Sequence, residues 1–123
     1  MTSERFDEVE VLRVLAAPFA EGKQLRDAVE LVVNGQRLSE LLGGVPLDVD
    51  EVRTELSGRW LWGGRDVPVG RCACGEVGCI RAEAAVVRRG ATVEWEVTSI
   101  GRRFLFDGEE LERALRLVLT DGV

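Results

Sequence analysis

The chain predicts an α+β domain: a mainly antiparallel sheet of about four to five strands, a C-terminal helix packed across it, and a short helix near 49–56. Three observations lead there. Apolar residues alternate with polar ones over 9–16, 28–33, 81–98 and 100–106, the period-two signature of half-buried strands. Asn34-Gly35 and Gly90-Ala91 sit between such runs as hairpin turns. From 108 to 119 the spacing changes to three and four, the period of an amphipathic helix. At 123 residues the chain is long enough for one core and too short for two, so 1–123 reads as a single domain.

Val9 and Val11 alternate with Glu8 and Glu10, which opens a strand that Pro18 ends. The run 21–26 is polar, broken by Gly22, and reads as a loop. Val29, Leu31 and Val33 share one face of a second strand, and Asn34-Gly35 turns the chain because both residues tolerate positive φ. Residues 36–38 leave a returning strand open, while Ser39 to Leu42 before Gly43-Gly44 reads as one helical turn. Asp48 and Glu51 have the spacing of a capping box, with Val49, Val52 and Leu56 on one side and Ser57-Gly58 as the stop.

The stretch 57–80 reads as an irregular, glycine- and cysteine-rich connection, yet it holds Trp60, Leu61 and Trp62. A structureless segment of that length is uncommon inside a compact domain, so something must hold it: a short strand over 59–62, indole anchoring, or sulfur cross-linking. The two tryptophans serve either as core anchors or as an exposed partner-binding surface. Beyond the stretch, a two-residue turn at Gly90-Ala91 sets Val86 opposite Trp95 and Ala84 opposite Val97, leaving Glu94 and Glu96 toward solvent. Phe104 and Phe106 share a face of the next strand. Asp107 with Glu110 opens the last helix, whose apolar stripe is Leu111, Ala114, Leu115 and Val118.

All three cysteines, Cys72, Cys74 and Cys79, fall within eight residues, and there is no histidine. Structural zinc wants four ligands at C-x(2–4)-C spacings, so three thiolates here need a fourth donor. Glu76 or Asp66 could supply it, or a thiolate from a second copy, which would make a homodimer. Arg71 and Arg81 flank the motif and would lower a thiol pKa, which keeps redox chemistry at Cys72 and Cys74 open. Plain packing of small apolar thiols is the third reading. Together with the later V-x-W strand, the segment Cys72-Ala73-Cys74-Gly75-Glu76-Val77-Gly78-Cys79 resembles a family of small uncharacterised proteins from high-GC bacteria. Their C-x-C-G-x-x-G-C segment precedes a hairpin, a phenylalanine-bearing strand and a final helix. The resemblance implies that organisation and no activity.

A net charge of −6 argues against nucleic acid or an anionic membrane as partner. Met1 to Glu10 lacks the apolar run of a signal peptide, and the unpaired cysteine count fits a reducing compartment, so the expected location is the cytoplasm. The nucleophile-elbow, phosphate-loop and histidine metalloprotease patterns are all missing. The expectation is a non-enzymatic domain without a cofactor that acts by protein contact, in its concrete form an inhibitor of the immunity or antitoxin kind. A zinc module through Cys72, Cys74 and Cys79, or a thiol redox protein, is the alternative.

Overall fold

A computed structural model describes residues 6–16, 26–71 and 80–120. In chain order these form β1 (Val9–Ala16), β2 (Arg26–Val33), β3 (Gln36–Arg37), α1 (Leu38–Leu42) and β4 (Leu47–Asp48). A helical run follows: α2 (Val49–Glu51), a π-helical turn (Val52–Leu56) and α3 (Ser57–Trp62). The second half holds β5 (Gly64–Arg71), β6 (Ile80–Arg89), β7 (Thr92–Val97), a 3-10 turn (Thr98–Ile100), β8 (Arg102–Asp107) and α4 (Gly108–Thr120). The architecture is α+β and wholly antiparallel, with the strands divided between two four-stranded sheets. In the first, β2 pairs with β1, β3 and β4; the second runs β5-β6-β7-β8. No helix among the described residues is long and apolar enough to cross a membrane.

Turn chemistry sets both hairpins. Asn34 and Gly35 adopt φ of 52° and 81°, the pair of positive values a tight β-hairpin needs, and Val33 meets Gln36 across it. At the second hairpin only Gly90 is positive, at 60°, so Val86 pairs with Trp95 and Ala84 with Val97 as the alternation requires. The outer residue Glu94 receives Arg103 from β8 at 2.8 Å.

One hydrophobic cluster joins both sheets and the helices. Val29, Leu31 and Val33 face inward from β2, Val93, Trp95 and Val97 from β7, Phe104 and Phe106 from β8. Aromatic rings form its centre: Trp60 to Trp95 at 5.3 Å and 58°, Trp95 to Phe106 at 5.3 Å edge-on, Phe106 to Phe104 at 6.0 Å. Such tilted and edge-on pairs suit ring quadrupoles and add to burial. Leu111 and Leu115 of α4 close the cluster, while Asp107 Oδ1 accepts the backbone N–H of Glu109 and caps the helix.

The sheets also meet along their margins. Asp7 lies beside β8: its N–H donates to the Leu105 carbonyl at 2.7 Å, and its Oδ2 accepts the Leu105 N–H at 2.8 Å. The other oxygen of Asp7 accepts from the Asn34 side chain at 2.9 Å, which ties β8 to the first hairpin. On the far side, Val45 and Arg71 exchange backbone hydrogen bonds of 2.9 and 3.0 Å.

Residues 57–71 correct the sequence reading of an irregular connection. The helix expected to stop at Ser57-Gly58 runs on to Trp62, and the strand considered over 59–62 is helix instead. Val52, Leu56 and Trp60 recur at intervals of four and are all buried, so the apolar stripe continues through the apparent stop. Glycine inside a helix costs about 1 kcal/mol. Burying Trp60 and Leu61 returns several times that, about 1.5–3 kcal/mol for each large apolar side chain. Asp48 stands at the N-cap position of α2 with an extended backbone but makes no side-chain cap bond.

After Gly63 the chain is again regular. Val67 and Val69 alternate inward in β5, and Pro68 is tolerated because β5 is an edge strand. Its register against β6 shifts at three places, and Asp66 takes φ of 52° at the first of them. Gly70 is needed for space, since a Cβ there would stand 2.6 Å from Leu42 Cδ1.

Candidate functional site

The two tryptophans separate completely. Trp60 is 1% exposed; its Nε1 donates to the Pro68 carbonyl at 2.9 Å and its own carbonyl accepts Trp95 Nε1 at 3.0 Å. It is a core residue and offers no surface to a partner, against the sequence reading that grouped it with Trp62. Trp62, at the end of α3, is 64% exposed. Along a helix, residues two apart point about 200° from each other, so one indole going inward sends the other out.

Trp62 does not hang free. The Arg88 guanidinium lies 4.2 Å from its ring centroid, a cation–π contact worth about 0.5–1 kcal/mol at an exposed site. Arg88 is itself fixed: Nε donates to the Gly90 carbonyl at 2.9 Å and Nη1 to the Leu61 carbonyl at 3.3 Å. Gly108, the first residue of α4, lies against the same guanidinium, and a Cβ there would approach Arg88 Cζ to 2.8 Å. One helical turn before Trp62, Arg59 is exposed and donates from Nη2 to the Arg65 carbonyl at 2.9 Å. The site is therefore an indole with a stacked guanidinium, with a second exposed arginine one helical turn earlier on α3, both arginines oriented by backbone carbonyls. Sequence reasoning named Trp62 but not Arg59, Arg88 or Gly108, whose roles come from packing between distant segments.

Cys72, Cys74, Cys79 and Glu76 lie outside the described residues. Asp66, considered as a further metal donor, is exposed in β5. Among the described residues no three histidine, cysteine or acidic side chains are grouped to hold a metal ion. Of the two flanking cations, the Arg81 side chain lies outside what is described, and Arg71 is committed elsewhere: its Nη2 donates to both carboxylate oxygens of Glu51, at 2.7 and 2.6 Å.

Two other surface features stand out. An open depression of about 560 Å³ beside β5 and β6 is lined by Arg65, Asp66, Glu83, Thr98 and Ser99, among others. A groove of about 310 Å³ between β1 and α4 exposes Leu12 and Leu117, at 37% and 68%.

The described residues also contain a buried acid. Glu30, on β2, is 2% exposed, and its carboxylate accepts the Ser39 hydroxyl and, at 3.3 Å, the Ser39 backbone N–H. Burial raises its pKa above the usual carboxylate value; the Ser39 bonds and nearby Arg37 pull the other way without cancelling the rise. A carboxyl whose folded pKa is raised stabilises the fold fully below its unfolded pKa, and that stability is lost as pH climbs through the folded value. Glu30→Gln, which mimics the neutral acid, should therefore melt higher than wild type at neutral pH. The gap should close as pH falls below about 4.3, the ordinary glutamate value. Thermal melts of both proteins across that range check it, and equal melting at neutral pH would refute it.

Fold and site together define an antiparallel α+β domain presenting a braced, solvent-facing tryptophan. Compared with known proteins, the chain matches no family model, no curated protein and no solved structure.

Proposed function

We propose that this protein acts without catalysis, by binding another protein through a contact centred on Trp62. The observation that carries the reading is an indole left 64% exposed with a doubly hydrogen-bonded arginine stacked against it. Folding gains little by exposing so large an apolar ring, whereas tryptophan and arginine dominate the energetics of protein interfaces. Holding the ring in place beforehand lowers the entropy lost on association. Its concrete form is an inhibitor of the immunity or antitoxin kind, for which the net charge of −6 would speed encounter with a basic protein.

The test is photo-crosslinking in the native host, with a benzophenone amino acid in place of Trp62 and, separately, in place of Leu117. A discrete adduct to one protein is expected from position 62 and none from position 117. If position 62 yields no adduct while the variant remains folded, the reading is overturned.

A further inference from the structure

We propose that the Trp62 surface receives an acidic segment of the partner, its carboxylates taken by Arg59 and Arg88; this rests on the contact reading above. Arg13, Arg53, Arg71, Arg103 and Arg116 are each engaged in an ion pair. At Arg59 and Arg88, by contrast, no carboxylate among the described residues comes within ion-pair distance. Both guanidiniums are bonded to backbone carbonyls instead, at Arg65 for the first and at Gly90 and Leu61 for the second. A neutral carbonyl orients a guanidinium but leaves its positive charge uncompensated, and each arginine keeps donors in hand for a carboxylate.

One such charge on an exposed indole and another a helical turn earlier form a locally positive, partly apolar spot on a chain of net charge −6. The overall field and the local contact thus differ in sign. Net charge governs which proteins are drawn in, and Arg59 with Arg88 govern which part of the partner seats on the ring. Gly108 is the positioning residue of this arrangement, because a Cβ there would stand 2.8 Å from Arg88 Cζ and push the guanidinium aside.

The direct probe is hexaglutamate, titrated into the full-length 15N-labelled protein while the indole N–H signals are followed. The Trp62 signal should shift saturably and less so with added salt, while those of Trp60 and Trp95, both hydrogen-bonded in the core, stay still. Arg88→Ala should weaken the response roughly tenfold, the loss of about one charge-assisted hydrogen bond. Gly108→Ala should keep the fold and weaken the response by displacing Arg88. Hexalysine or oligouridylate moving the Trp62 signal in place of hexaglutamate would overturn the proposal, and so would no movement with any of the three.

Mapping the adduct from position 62 separates the two levels. An acid-rich contact segment supports this inference. A basic or neutral segment overturns it while leaving a contact through Trp62 in place, and no adduct overturns the contact reading itself.

Discussion

Trp60→Ala should lower stability by about 3–5 kcal/mol, the range for removing a large aromatic side chain from a packed core. Three losses coincide at that position. The ring is 1% exposed and packs 5.3 Å from Trp95, so its removal opens a cavity at the centre of the cluster. The Pro68 carbonyl loses the indole N–H that reaches it at 2.9 Å. The stripe of Val52, Leu56 and Trp60, which holds the helical run against the sheets, loses its last member. Trp62→Ala, two residues on, should cost no more than about 1 kcal/mol, the upper worth of its exposed cation–π contact. Urea denaturation midpoints of the two variants make the comparison. Should the alanine variant fail to fold, Trp60→Phe, which keeps a ring and loses the hydrogen bond, should fall between it and wild type. Equal effects at positions 60 and 62 would contradict the assignment of one ring to the core and the other to the surface.

Arg71→Met should destabilise by about 2–3 kcal/mol, and adding Glu51→Leu should recover most of the loss. Breaking a buried ion pair by removing one partner costs about 3–5 kcal/mol, because the other charge is left uncompensated. The lower figure applies here since the Glu51 side chain keeps 27% of its exposure, against 10% for Arg71. Arg71 Nε is buried and makes no hydrogen bond among the described residues, so the pair is not fully satisfied as it stands. Replacing both charges with apolar groups of similar size is often neutral or favourable, which is why the double variant should recover. The backbone of Arg71 will hold its place through Val45 in either case. Denaturation of the two single variants and the double one completes the cycle, and strictly additive losses would show that the two side chains are not coupled.

Much of the fold was legible because local and tertiary preferences agree. Around Gly90-Ala91 the turn, the alternation and the need to place small alanines beside bulky partners all specify one register, and the structure has it. In α4 an acidic cap and an apolar stripe likewise point the same way. Residues 57–71 resisted because their local signals oppose their tertiary role. Ser57-Gly58 reads as a stop, and Gly64, Pro68 and Gly70 read as breakers, yet burial of Trp60, Val67 and Val69 overrides each. The misgrouping of the tryptophans follows directly. Residues two apart share a face in a strand and oppose each other in a helix, so the wrong element joined Trp60 to Trp62. Asp7 beside Leu105 and Arg88 beside Gly108 leave no local trace, because each brings together segments that are far apart in sequence.

The π-helical turn at Val52–Leu56 gives this protein one residue of slack in length as well as freedom in composition. Arg53, Thr54 and Glu55 all face solvent, so replacing any of them should be tolerated. Deleting one would return the winding to the ordinary α repeat, and because a π turn is an α turn with one residue added, α3 would keep nearly the same facing. The Trp60 ring would stay against Trp95, and Trp62 would stay within reach of Arg88. Variation here should therefore include the loss of one residue as well as the exchange of side chains.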